Sequence, residues 1–449
     1  MSESAASPLR LPALTLAAYA APMAPLGALY FPVFVYVVPY YASQGADLAL
    51  LSLFMVMARL LDGVSDPLMG VLSDRTPGPW GRRRPWIAAA GPLILLSSWF
   101  LFLPPENPSA IYAGIALAAL TLAWTMALTP YQAWGAELSG DYAERARITS
   151  WREAVGLFGM LSAAILYTLA GNDEGQGLAN IFLALAAVLP LAFLAALWKA
   201  PEPRNLSRRR LPFKEGLRIA AGNRPFMRLL LSWFVNGAAN ALPAALFFFF
   251  VEHRLESDNQ TAGTLLVLYF LAAILGAPLW SWAAKRAPKH RVWCGVMAYA
   301  CLVFAAALLL GPGDVAAFTA ISILSGFALG ADLSLPPAMQ ADVVDADAAE
   351  GGEQRTGAFF AVWSVATKAA QALAAGLALG LLSWVGFDAT QVGGNDPAAL
   401  TTLAWLYAGA PVALKLIAVA LMWNFPLDET AQAAARARLE RGDDPEPAP

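Results

Sequence analysis

The chain has 449 residues, 58% of them hydrophobic and 14% charged, with a formal net charge of -3 and a mean hydropathy of +0.55. Soluble domains carry about 25% charged residues, so this chain has too few charges to coat a water-facing surface. The composition specifies a polytopic membrane protein, and its net negative charge argues against a nucleic-acid partner.

In chain order, Met1–Leu14 lacks a basic region leading into an apolar core and a small-residue cleavage site, so it reads as a short cytoplasmic tail. A bilayer-spanning helix needs about 20 largely apolar residues. Twelve stretches qualify: approximately 15–41, 48–72, 86–104, 110–138, 149–171, 178–199, 226–251, 261–284, 292–312, 315–341, 358–384 and 399–425. All must be helical, because open strands would leave backbone groups unpaired in lipid. The two cysteines, Cys294 and Cys301, share one apolar stretch. Seven helical positions separate them by roughly 10 Å of rise, too far for a disulfide.

The even-numbered connections carry the positive charge. Arg75, Arg82, Arg83 and Arg84 follow span 2, Arg145 and Arg147 follow span 4, and Lys285, Arg286, Lys289 and Arg291 follow span 8. After span 6 come Arg204, Arg208, Arg209, Arg210, Lys214, Arg218 and Arg224, whereas the odd connections hold almost no cations apart from Arg254. Both termini are therefore expected on the cytoplasmic side. That long basic connection, 200–225, is expected to be a cytoplasmic linker. It separates an N-terminal six-helix half (1–199) from a C-terminal one (226–425), with a cytoplasmic tail at 426–449. The halves echo each other: DRTPGPWGRRRP after span 2 corresponds to AKRAPKHR after span 8, and Pro130 and Glu137 in span 4 to Pro337 and Asp342 in span 10. Such a pair of halves resembles the major facilitator architecture, whose substrate site lies between them near the bilayer midplane.

Ionisable residues inside spans are costly unless paired or hydrated, and so are informative. Span 2 holds Arg59, Asp62 and Asp66, whose offsets put all three on one helix face. Two carboxylates one turn apart repel each other, and their hard oxygens suit Na⁺ or a proton. A buried salt-bridge network is the alternative. Lys368 lies well inside span 11 and is expected to face the central cavity, where it could pair with Asp62 or Asp66. Asp332 and Lys415 are weaker candidates, facing either a neighbour or a wet crevice. Arg152 reaches either the cavity or a cytoplasmic ion pair with Glu153. Tyr19, Tyr30, Trp124 and Trp363 could stack on a sugar ring or serve only as packing, and Gln132 is a further polar candidate. A cytoplasmic gate is expected from Asp74, Arg82, Arg83, Arg84, Glu137, Asp141, Arg145 and Arg147, with Asp342 and Arg355 in the second half. Positive-inside topology would explain the same arginines. His253 and His290 lie in loops, and no phosphate-binding Gly-rich loop occurs, so neither a histidine metal site nor ATP-driven pumping is supported. No cofactor is expected.

The stretch RLLDGVSDPLMGVLSDRTPGPWGRRRPW resembles the glycoside–pentoside–hexuronide:cation symporters, the melibiose-permease-like branch of the major facilitator superfamily. TPYQAWGAELSGDYAERARITSWREAVG and MQADVVDADAAEGGEQRTGAFFAVWSVATK extend the resemblance over nearly the whole chain. The resemblance implies that Asp62 and Asp66 are paired cation-site aspartates, Arg59 their preceding arginine, Arg152 a cavity-facing arginine and Lys368 the helix XI lysine. Ser364 falls where the family has a cation-site threonine. Two acids of the galactoside symporters are missing: span 1 has none, and Leu128 replaces one on helix IV. Loss of that third carboxylate weakens Na⁺ binding more than proton binding. The expectation is a monomeric secondary symporter in the cell membrane, coupling H⁺ or Na⁺ entry to uptake of a sugar or glycoside. The alternative is a lysophospholipid or other amphiphile transporter of the same branch. A membrane sensor and a membrane-embedded enzyme are further readings of a different class.

Overall fold

Every regular element is a helix among the residues described by a computed structural model of the chain, which are 10–426 except 77, 140–141, 203–217, 219–220 and 352–355. Asp141 and Arg355, the side chains of Asp74 and Arg145, most of the 200–225 connection and nearly all of the C-terminal tail lie outside the described residues. The first expected span forms three helical pieces, α1 (Ala13–Ala20), α2 (Met23–Val35) and α3 (Val37–Ser43). Prolines at 22, 25, 32 and 39 remove backbone donors along this stretch and account for its interruptions. Five long helices follow: α4 (Leu48–Arg75), α5 (Arg84–Phe102), α6 (Ala110–Glu137), α7 (Tyr142–Thr168) and α8 (Glu174–Lys199). The second half contains α9 (Arg224–Phe249), α10 (Asn259–Ala283), α11 (Lys289–Ala305), α12 (Val315–Gly351), α13 (Thr356–Trp384), α14 (Pro397–Ala404) and α15 (Ala410–Met422). Side-chain caps start several of them: Asp47, Ser109, Asp173, Asn223, Asp258 and Asp396 each accept from a backbone N–H two or three residues on.

Among the described residues, eleven helical segments are long and apolar enough to cross a membrane, against twelve expected. The missing one is the expected fifth span. Its helix α7 is 27 residues long, but Glu144, Arg145, Arg147, Arg152 and Glu153 crowd its first half and dilute its apolar character.

The chain divides into two compact units, one ending at Arg208 and the other starting at Arg209. In the first unit α2 packs on α7, and α4 and α5 both pack on α6. The α2–α7 contact is backbone to backbone: a Cβ placed on Gly159 would come within 2.0 Å of the Ala24 carbonyl oxygen. In the second unit α9 packs on α13 and α15, and α10 packs on α12. There Gly330 does the same job, since its Cβ would lie 2.5 Å from the Ala277 nitrogen. Small residues at such crossings are the usual device of membrane helices, which gain packing energy from close approach. The second unit's core gathers Phe226, Trp293, Leu335, Phe359 and Met422.

Helix α4 is inside-out by soluble standards. Leu53, Met57, Leu60, Val64 and Leu68 are exposed, one turn apart, while Asp62 and Ser65 are buried. A helix that turns leucines outward and a carboxylate inward is built for lipid, with its polar groups committed to protein neighbours.

Candidate functional site

The buried face of α4 meets α6 through a ladder of oxygens. Thr125 donates from Oγ1 to Asp62 Oδ1 at 3.2 Å, and one turn along Thr129 donates to Asp66 Oδ1 at 3.3 Å. Both links join residues 63 apart in sequence, so the two helices run parallel and in step, with each four-residue turn of one matched by a turn of the other. Ser65 adds a third hydroxyl, donating to Thr125 Oγ1 at 3.3 Å. Arg59, one turn before Asp62, donates from Nη1 to Asp62 Oδ2 at 2.9 Å. Asp62 is almost fully buried and Asp66 half-buried. The guanidinium therefore offsets the charge of the more desolvated acid, which would be too costly alone.

This donor set consists of two carboxylates and three hydroxyls, all hard oxygens of the kind that bind Na⁺ or accept a proton. The residues present fit either ion. Arg59, Asp62 and Asp66 were legible in the sequence, but Ser65, Thr125 and Thr129 were not assigned. The available signal was spacing: Thr125 and Thr129 stand four apart on α6, as Asp62 and Asp66 do on α4.

Around this ladder, Tyr30 of α2 lies 5.8 Å from Trp124 of α6, ring centroid to centroid, and both are half-buried. Trp124 directly precedes Thr125 on α6. Gln132 is exposed. Tyr19 is fully buried: it stacks on Tyr131 at 4.9 Å, and the two exchange hydrogen bonds from each hydroxyl to the other's carbonyl. Arg152 pairs with Glu153 at 2.7 Å and also interacts with the Tyr19 hydroxyl. In the second unit Trp363 is buried and stacks on Trp233 at 5.0 Å, and Trp233 donates to Thr367 at 2.7 Å. Ser364 is exposed on α13 and Lys368, one turn later, is half-buried.

The gate residues are gathered within each unit. Glu137, at the end of α6, takes Arg82 Nη2 on both carboxylate oxygens at 2.8 Å and Arg83 Nη2 at 2.7 Å. Arg83 is only 1% exposed. Burial pushes its guanidinium below its ordinary value, and the Glu137 carboxylate pulls it back up. Arg84 turns away to Glu202 at 3.2 Å and donates to the Ala200 carbonyl. Arg147 pairs with Glu144 at 2.8 Å, which accepts from the Leu11 backbone. The second unit repeats the first arrangement: Lys289, opening α11, pairs with Asp342 on α12 at 2.5 Å. In both units a cation from the loop after an even-numbered span meets an acid past the prolines two helices on. Each half of the sequence echo thus carries an ion pair of the same kind.

The family described as MFS/sugar transport protein matches residues 18–429. Over 424 residues the chain is 25% identical to the sodium-dependent lysophosphatidylcholine symporter 1-A of Danio rerio, covering 84% of this chain and 79% of that one. It is also 25% identical over 381 residues to the inner membrane symporter YicJ of Escherichia coli (strain K12), covering 82% and 81%. A crystal structure of a D-xylose–proton symporter shares the fold, with a TM-score of 0.64 and 16% identity over 93% of this chain and 98% of that one.

Proposed function

We propose a symport function from the premise that this chain belongs to the MFS/sugar transport protein family. Membership makes it a multi-span membrane transporter and not an enzyme. Within that family we place it in the glycoside–pentoside–hexuronide:cation branch, as a monomeric secondary symporter with both termini cytoplasmic. It couples H⁺ or Na⁺ entry to uptake of a small organic solute of the sugar or glycoside class. The carrying observation is the Arg59–Asp62–Asp66 cluster with its two threonine rungs.

Cation or proton binding at Asp62 and Asp66 neutralises the ladder, and Lys368 and Ser364 act with it in coupling. For transport to be coupled, each ligand must bind one access state better than the other, and the linkage is reciprocal. A coupling of about 1–3 kcal/mol changes affinity by roughly 5- to 150-fold. Leu128 stands where a third acid would serve Na⁺, so protons drive transport at least as well. Tyr30, Trp124, Gln132 and Arg152 contact the solute. The Arg82–Arg83–Glu137 and Lys289–Asp342 clusters serve as latches that break and re-form as access alternates.

A second reading, uptake of a lysophospholipid, is favoured by the similarity to the sodium-dependent lysophosphatidylcholine symporter over most of both chains. One experiment tests both readings. Purified protein in proteoliposomes is assayed with labelled glycosides and with lysophosphatidylcholine, under an imposed Na⁺ or pH gradient. Wild type accumulates one class uphill, and Asp66→Asn, which can neither hold a proton nor supply charge to Na⁺, does not. Uphill uptake that survives both Asp62→Asn and Asp66→Asn ends the cation-site reading.

A further inference from the structure

A second polar cluster lies wholly inside the second unit and plays no part in the ladder on α4. Asp332 of α12 is buried and accepts from three donors on three other helices. Trp293 Nε1 of α11 reaches Oδ1 at 2.6 Å, and Asn240 Nδ2 of α9 reaches Oδ2 at 2.9 Å. Lys415 Nζ of α15 lies 3.3 Å from the same Oδ2. All three contacts come from donors, an arrangement that suits a carboxylate and not a carboxylic acid. The Lys415 ammonium also donates to Asn236 Oδ1 at 2.7 Å. Asn236 is fully buried, and its amide nitrogen lies beside Asp332 but outside hydrogen-bond geometry. This amide presents its oxygen to the ammonium, as a cation ligand does. Tyr269 of α10 and Cys301 of α11 are the other titratable groups nearby.

The lysine does not reach outward. Pro411, Ala418 and Met422 are buried on the same face of α15, while Leu416 and Ile417 are exposed on the other. Its ammonium is therefore directed into the unit, with no route to an interface by snorkelling. A carboxylate oxygen and an amide oxygen converge on it from helices 83 and 179 residues away in sequence. Asp332 already has two neutral donors, so what the lysine adds is charge neutrality, which a free cation of similar size would add equally well.

We propose that the second unit contains a monovalent-cation site of its own, permanently filled by the Lys415 ammonium held between Asn236 and Asp332. The class of ligand it takes, once the tether is cut, is a small ammonium ion. The consequence for the molecule is that this site exchanges nothing with solution, and it is independent of which solute is carried.

The test uses full-length protein in detergent, melted in choline chloride and in ammonium or methylammonium chloride at equal ionic strength. Lys415→Ala leaves a buried carboxylate without its counter-charge and lowers Tm in choline by roughly 10 °C. Ammonium and methylammonium restore at least half of that loss, tetramethylammonium does not, and wild type responds to none of them. Lys415→Met with Asp332→Asn removes both charges; it melts near wild type and ignores ammonium. A Lys415→Ala protein whose melting is unchanged in choline, or is not raised by ammonium, overturns the proposal. So does a double variant as ammonium-sensitive as the single one. If Lys415→Ala folds only when purified in ammonium, the site is confirmed; if it folds in neither salt while the double variant folds in both, the cation-site reading is abandoned for a purely structural ion pair.

Discussion

Replacing Glu137 with glutamine isolates the energy of one latch. The carboxylate receives hydrogen bonds from the Arg82 and Arg83 guanidinium groups, at 2.8 and 2.7 Å. The share of Arg82 is small, because that side chain is 27% exposed and exposed ion pairs contribute about 0–1 kcal/mol. The share of Arg83 dominates. Its side chain is 1% exposed, and stripping the counter-charge from a buried ion costs about 3–5 kcal/mol. Glutamine keeps one oxygen that can accept from Arg83, and Glu137 itself is partly hydrated, so the lower end applies. Glu137→Gln should therefore destabilise the first unit by about 3 kcal/mol, a fall in Tm of roughly 6–12 °C for a unit of this size. The equivalent pair in the second unit is the internal control. Lys289 is 32% exposed, so Asp342→Asn should cost no more than about 1 kcal/mol. Both variants are read by tryptophan-fluorescence melting of purified protein. Melting of Glu137→Gln within a degree of wild type, or no lower than Asp342→Asn, would refute the assignment of this latch to the buried Arg83 charge.

Other expectations follow from single contacts. Thr125→Val keeps the shape of a fully buried residue but deletes the hydroxyl on Asp62; it should cost about 1.5–3 kcal/mol and weaken cation-driven uptake, while Thr125→Ser restores both, and equal melting of the valine and wild-type proteins would sink it. Arg59→Ala with Asp62→Asn should be more stable than the sum of the two single changes predicts, because the Arg59 guanidinium pairs with Asp62 at 2.9 Å, whereas strict additivity would separate the two side chains. Gly159→Leu would drive a side chain into the Ala24 backbone, so folded yield in membranes should collapse, and a normal yield would disprove the close α2–α7 approach. In the loop after α13, Thr390 and then Gln391 donate to the Asp388 carboxylate and hold it below the usual range. The folded chain favours the ionised form, so this contribution is present above about pH 4 and is lost as pH falls through the depressed value. Wild type and Asp388→Asn should show parallel pH slopes of Tm from 6 to 8 and diverge only below about pH 4; divergence near neutrality would contradict it.

What the sequence determined by itself was local. Length and apolarity located the helices, and the i, i+3 and i+4 offsets put Arg59, Asp62 and Asp66 on one face of α4, because helical periodicity is written in neighbouring residues. The fifth span is the exception: 149–171 reads as a span, yet the charges in the first half of α7 leave that helix short of the apolar character of the others. The charged loops and the acid closing span 4 were also legible, since membrane-edge charges follow topology. Which helix meets which was not written there. The rungs from Thr125 to Asp62 and Thr129 to Asp66 depend on the axial stagger of two parallel helices with a third between them. Tyr19 and Trp363, legible only as aromatics, became packing partners of Tyr131 and Trp233 because ring placement depends on crossing angle and depth. The same holds for Asp332 and Lys415. Each was a lone charge in an apolar run, open to a neighbour or a crevice, until the packing of α9, α11, α12 and α15 brought their side chains together. Sequence spacing sets where a side chain sits on its own helix, but only the close packing of several helices decides what it touches across 83 residues of chain.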